Sequence, residues 1–189
     1  PGTAARNWEN DAWSPQTKLL YTHTDNSCNI MIVIAGDYKP GDPAGYRLRQ
    51  VTAGVTAQMK DLKGQPTTVQ GELKAMDPVG RKIVWSNNIN DSSRTPQMAT
   101  AGGLIFKGTN DTGNFVALNA ATGKTEWTFR TGSRFNQSPI SYLYGGKQYI
   151  AIISSSAAGN TAVAANARPD DSNRYRRSGT TRYVFKLPG

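Results

Sequence analysis

Two stretches of this chain align without a gap. Ala75-Met76-Asp77-Pro78-Val79-Gly80-Arg81-Lys82-Ile83-Val84-Trp85 matches Ala117-Leu118-Asn119-Ala120-Ala121-Thr122-Gly123-Lys124-Thr125-Glu126-Trp127, an offset of 42 residues at which Ala, Asp/Asn, Lys and Trp coincide. A period of about 40–45 residues is that of a four-stranded propeller blade, a unit that buries its apolar surface only against neighbouring units. Each part of the motif has a mechanical reading. Asp77 and Asn119 start a turn, and the residues after them form a hairpin. The small Ala75 and Ala117 let a neighbour approach. Trp85 and Trp127 then cover the joint between blades, an aromatic burying on the order of 150–250 Å².

The rest of the chain is consistent with this unit. No apolar stripe at helical spacing extends over ten residues, and short β-rich runs bounded by Gly, Asn, Asp and Pro recur instead, which predicts an all-β fold. First strands are expected over Ala12-Trp13-Ser14, Gln97 to Ala101 and Ser138 to Tyr144. Second strands are expected over Leu19 to Thr22, Leu104 to Gly108 and Lys147 to Ile153. Third strands follow over Glu72 to Met76, Asn114 to Asn119 and Arg182 to Leu187, and fourth strands over Lys82 to Ser86 and Thr125 to Arg130. The last of these roughly three blades has no fourth strand, and Pro1 to Ala5 is poor strand sequence with which to fill it. An arc of three blades also leaves two apolar outer faces and an open edge, a liability that a folded protein covers. The expectation is that more polypeptide completes the propeller. The start, Pro1-Gly2-Thr3, has no Met and no signal peptide, which fits either a removed leader or a piece of a longer chain.

Composition excludes several classes. With 37% hydrophobic and 19% charged residues the chain is too apolar for disorder. Its longest apolar run, Ile30 to Ala35, is far short of the roughly 20 residues that span a bilayer. The single cysteine, Cys28, excludes an internal disulfide and a Cys-rich zinc site, and the single histidine, His23, excludes a His-cluster metal site. Cys28 has no neighbouring His and reads as an ordinary thiol. His23, at a strand end, reads as a surface residue. No nucleophile elbow, P-loop, dinucleotide fingerprint or EF-hand spacing is present. Three N-glycosylation sequons, at Asn90, Asn110 and Asn136, are too short a pattern to carry weight.

In an antiparallel blade, the loop before strand one and the loop between strands two and three lie at the same end. That end would gather Ala5 to Asp11, Asn90 to Thr95, Gly132 to Asn136, and two long insertions near 25–71 and 154–181. Insertions concentrated at one end mark a binding face. The second insertion is basic, with Arg168, Arg174, Arg176, Arg177 and Arg182 against Asp170 and Asp171. It has one aromatic, Tyr175, and no nucleic-acid-binding module, so a solvated or partner-facing loop is the better reading and nucleic acid is not expected as a partner.

Taken in order, these segments resemble the C-terminal part of pyrroloquinoline-quinone (PQQ)-dependent alcohol dehydrogenases, a family of eight-bladed propellers. Asn7-Trp8 followed by Ser14-Pro15-Gln16-Thr17-Lys18-Leu19-Leu20-Tyr21 is similar to the family's "Asn-Trp … Asn-Pro-x-Thr-Gly-Leu-x-Tyr". Thr100-Ala101-Gly102-Gly103-Leu104-Ile105-Phe106 is similar to its "Thr-Ala-Gly-Gly-Leu-Val-Phe". The two Ala-to-Trp stretches resemble its tryptophan-docking motifs. Ser138-Pro139-Ile140-Ser141-Tyr142 with Gly146 to Ala151 resembles its last full hairpin, and Val184-Phe185-Lys186-Leu187-Pro188 its terminal strand. The chain departs from the family pattern at Asn10, where Pro is usual. It departs again at Val79-Gly80-Arg81, where x-Thr-Gly is usual, and at Ser154 to Gly159, where a Gly-rich or Trp-containing stretch is common.

The resemblance implies that residues 1–189 are the C-terminal portion of one quinoprotein propeller, interrupted near 25–71 and 154–181. It implies PQQ-dependent oxidation of a small alcohol to an aldehyde, in the periplasm, with electrons passing to a cytochrome or a membrane quinone. The family's calcium or lanthanide ion, its general-base aspartate and its adjacent-cysteine disulfide lie upstream, so no catalytic residue and no metal ligand is assigned to this chain. Asn7 and Trp8 match the quinone-contacting segment and are the expected cofactor-binding residues; the alternative is that Trp8 plugs the funnel and Asn7 merely turns the chain. The rival functional reading is a non-catalytic propeller scaffold of the bacterial envelope that binds protein partners.

Overall fold

The computed structural model describes residues 9–25, 30–35, 46–51, 71–87, 95–109, 113–131, 133–154 and 180–186. They form thirteen strands and no helix: β1 (Ala12–Ser14), β2 (Leu19–Asp25), β3 (Ile30–Ala35), β4 (Tyr46–Val51), β5 (Gly71–Asp77), β6 (Lys82–Asn87), β7 (Gln97–Ala99), β8 (Leu104–Gly108), β9 (Asn114–Asn119), β10 (Thr125–Arg130), β11 (Ile140–Tyr144), β12 (Lys147–Ser154) and β13 (Thr181–Lys186). All paired strands are antiparallel. Two sheets have four strands, in the orders β1-β2-β5-β6 and β7-β8-β9-β10, and a third has the order β11-β12-β13. These are the two full blades and the three-stranded blade expected from the repeat.

One segment differs from the expectation. The insertion near 25–71 was expected to be loop, yet it carries a hairpin of its own, with Ile30 paired to Val51 and Ala35 to Tyr46. The apolar run Ile30 to Ala35 is rich in β-branched residues, which favour a pleated strand. Two expected first strands are shorter than read. β7 ends at Ala99, because Thr100 N turns back to Leu104 O at 2.9 Å. β11 starts only after Pro139, which has no N–H for the ladder.

The blades stack through side-chain alternation. In the middle blade, cross-strand partners share a face. Ile105 opposite Leu118 points to the first blade, and Phe106 opposite Ala117 points to the third. On one side, Ile105, Val116, Leu118 and Ala120 pack with Ala12, Leu19, Tyr21, Leu73 and Ala75. On the other, Phe106, Phe115 and Ala117 pack with Phe135, Ile150 and Ile152, and Tyr183 and Phe185 close that layer. A slip of one residue in β8 or β9 would exchange the two cores, so both neighbours hold the register.

The repeated motif works as a dock. Asp77 Oδ1 accepts from the amides of Val79 and Gly80 at 3.0 and 2.9 Å, and Asn119 Oδ1 accepts from those of Ala121 and Thr122 at 3.0 and 3.1 Å. These two turns are equivalent. Each fourth strand then carries a bulge just before its Trp: the pairing jumps between Ala75 and Met76 past Val84, and between Thr125 and Trp127 past Glu126. Trp85 reaches the turn of the next blade, where its indole N–H donates to Ala120 O at 3.1 Å and its ring covers Gly123. Tyr21 and Asn87 reach the same turn, donating to Ala120 O at 3.0 Å and Gly123 O at 2.5 Å. Trp127 packs edge-on against Phe115 and against Phe185 of the third blade, at centroid distances of 6.0 and 5.2 Å.

Candidate functional site at the loop end of the blades

The register defines two ends. One is closed by tight turns: Ser14–Leu19, Asp77–Lys82, Ala99–Leu104, Asn119–Lys124 and Tyr144–Lys147. The other is where Asp25 pairs with Gly71, Gly108 with Phe115 and Ser154 with Thr181, and both long insertions and the segments leading into β1, β7 and β11 emerge there. The docking turns therefore lie opposite the loop end, which leaves that end free to vary. Short hydroxyl side chains hold its backbone. Thr109 Oγ1 accepts from Asn114 N at 2.9 Å, and Thr131 Oγ1 donates to Gly113 O at 2.8 Å.

Asn7 and Trp8 lie outside the described residues, as do Cys28 and Arg168, Arg174, Arg176 and Arg177. The described chain resumes at Glu9. Asn10 donates through Nδ2 to Gln97 O at 2.9 Å, which ties the segment leading into β1 to the first strand of the next blade.

Below this tie the seam between the first two blades becomes polar. Gln97 is buried and donates through Nε2 to Tyr21 O at 3.0 Å. Its cross-strand partner is Lys107, fully buried. The Lys107 amino group donates to Thr95 O at 2.5 Å and to Thr95 Oγ1, and it lies 3.2 Å from His23 Nδ1. Thr95 Oγ1 donates in turn to Gly108 O at 2.5 Å. With Lys107 as donor, His23 Nδ1 is the acceptor. His23 is 4% exposed, so the surface reading of this residue is corrected. β2 continues to Asp25, beyond the expected end at Thr22, and alternation places His23 on the Tyr21 face, toward the second blade.

Sequence reasoning passed over Lys107. The available signal was its place in Leu104-Ile105-Phe106-Lys107-Gly108, two residues from Ile105 and so on the same face. Tyr21 lies at the other end of this seam. Burial raises its phenol pKa above 10.0, against a smaller opposing effect from the Thr17 hydroxyl. Among the described residues no group of three or more His, Cys, Asp or Glu is arranged to hold a metal ion, and no helix is long and apolar enough to cross a membrane.

Blades of antiparallel strands, the first docked by Trp85 onto the next blade's turn and all opening their loops at one end, define a partial β-propeller. The family model for the glucose/ethanol/alcohol dehydrogenase β-propeller domain, whose short name is PQQ, matches residues 1–150. The chain belongs to this family. It is 32% identical over 155 residues to a quinoprotein ethanol dehydrogenase of Pseudomonas putida, covering 80% of this chain and 22% of that protein. It is 32% identical over 198 residues to a 1-butanol dehydrogenase (cytochrome c) of Thauera butanivorans, covering 100% of this chain and 26% of that one. The structure of a europium-containing methanol dehydrogenase matches with a TM-score of 0.71 and 27% identity, over 97% of this chain and 33% of that one. The chain thus spans between a fifth and a third of the length of these relatives.

Proposed function

We propose that the protein carrying this sequence is a PQQ-dependent alcohol dehydrogenase, oxidising an alcohol to an aldehyde, and that this chain supplies its C-terminal blades and part of the quinone pocket. The observation that carries the reading is the family match over residues 1–150, which includes Asn7, Trp8 and both docking motifs. Residues 1–189 would be one portion of a single propeller domain, interrupted near 25–71 and 154–181. When bound, the quinone accepts the two electrons of the alcohol, and the protein's part is to place and polarise it. The donor set suits such a group: the Asn7 amide can donate to quinone or carboxylate oxygens, and the Trp8 indole offers a flat wall and one N–H.

The calcium or lanthanide ion expected with the quinone would be held by residues outside this chain. The chain's partners would be the remainder of the propeller, a small alcohol, and a cytochrome or membrane quinone as electron acceptor, in the periplasm. The first of these has direct support in the apolar outer faces of the arc. Trp13 and Ile83 are 47% and 53% exposed on one side, and Ile140 and Val184 are 58% and 48% exposed on the other.

The test is the intact native protein, examined by mass and visible spectrum and then by alcohol-dependent reduction of an artificial dye. Quinone absorbance and alcohol-dependent turnover are expected, and Asn7→Ala and Trp8→Ala should each lower quinone occupancy at least severalfold. A colourless, inactive protein would favour the envelope-scaffold reading instead.

A further inference from the structure

We propose that Lys107 is a positioning residue for the quinone end of the propeller, its buried amino group fastening the lead into β7 to the first blade. The inference rests on the functional reading above. A fully buried lysine is rare and is kept only where its donors are used. Here they are used on Thr95, the described residue that opens the lead into β7, and beside His23, on the second strand of the preceding blade. Gln97, opposite Lys107 in the ladder, presents its backbone carbonyl to Asn10, two residues after Trp8. One contiguous set of hydrogen bonds and a ladder pair therefore underlies the leads into both β1 and β7, at the end of the blades where the long loops emerge. An unbranched apolar side chain such as Met at 107 would fill most of the space yet leave Thr95 O without its Lys107 donor, and the lead could then shift. Misplacement of a positioning element by about 1 Å can cost on the order of a hundredfold in rate.

The experiment uses the intact protein freed of quinone, with calcium present. PQQ is titrated in and tryptophan quenching gives the dissociation constant. Alcohol kcat and KM are measured separately at saturating quinone, and a thermal melt confirms folding. Lys107→Met should raise the PQQ dissociation constant about tenfold, the scale of one lost buried hydrogen bond, and lower kcat more than it changes KM. Asn10→Ala, at an exposed position, should raise the constant about threefold with little change in melting. If Lys107→Met does not fold, Asn10→Ala decides. Wild-type PQQ affinity in either folded variant overturns the proposal while the functional reading stands. Failure of the wild type to bind PQQ overturns both.

Discussion

At Arg81 the backbone adopts φ +52°, the left-handed conformation that Gly123 occupies with φ +73° at the equivalent place in the next blade. A side chain there costs about 1–2 kcal/mol, part of which glycine returns through its freer unfolded chain. Arg81 is exposed in this chain. Arg81→Gly is expected to stabilise the intact protein by about 0.5–1 kcal/mol, read as a higher denaturation midpoint. Gly123→Ala should do the reverse. A methyl there would sit 2.5 Å from Trp85 Cε3, and the left-handed backbone adds strain, for a loss of about 2–4 kcal/mol in the same measurement. Tyr21 sets a pH limit. Its folded pKa is raised, so its contribution is complete below pH 10 and is lost as pH rises through the higher folded value. Denaturation followed from pH 9 to 12 should fall less steeply for Tyr21→Phe than for the wild type. At this scale the two Asx turns were legible, because Asp77 and Asn119 bond to amides two and three residues along. Lys107 and His23 were not legible as a pair. They are 84 residues apart and meet only because two blades stack.

Phe135 shows how an element without a regular ladder is held. It lies in the lead into β11, is fully buried, and presses on the backbone of Gly108, where any Cβ would overlap it. Its ring also packs against Phe115 of the second blade and Tyr183 of the third, at centroid distances of 6.0 and 6.4 Å. Removing that ring leaves a cavity between two sheets, so Phe135→Ala is expected to destabilise the intact protein by about 3–5 kcal/mol, measured by chemical denaturation. The strands themselves were readable where a motif fixed both ends, as in β8, β9 and β10. They were misread where a local backbone event sets the boundary. β7 stops at the Thr100 turn, and β11 waits for the residue after Pro139. The β3–β4 hairpin was hidden for another reason. Among the described residues it pairs only with itself, and it has no place in the four-strand period by which the other strands were found.

The arc of blades has one core on each side of its middle sheet and an apolar face at each extreme. On the third blade that outer face carries Ile140, Tyr142, Ile153 and Val184, and Tyr142 stacks on Tyr149 at 5.4 Å. The alternation of β11, β12 and β13 that buries Ile150 and Ile152 and packs the half-buried Phe185 against the second blade necessarily turns these side chains the other way. In a closed propeller such a face is an inter-blade core, and in the isolated arc it is exposed hydrophobic surface. The same substitution should therefore have opposite signs in the two contexts. Val184→Asp in the intact protein would bury an unpaired carboxylate and lower stability by several kcal/mol, seen as a lost or greatly lowered melting transition. In residues 1–189 expressed alone it would interrupt an exposed apolar patch and reduce self-association, seen as a later elution and a smaller apparent mass on size-exclusion chromatography. Equal tolerance in both contexts would mean that nothing packs on this face, and that the third blade is not followed by another in space.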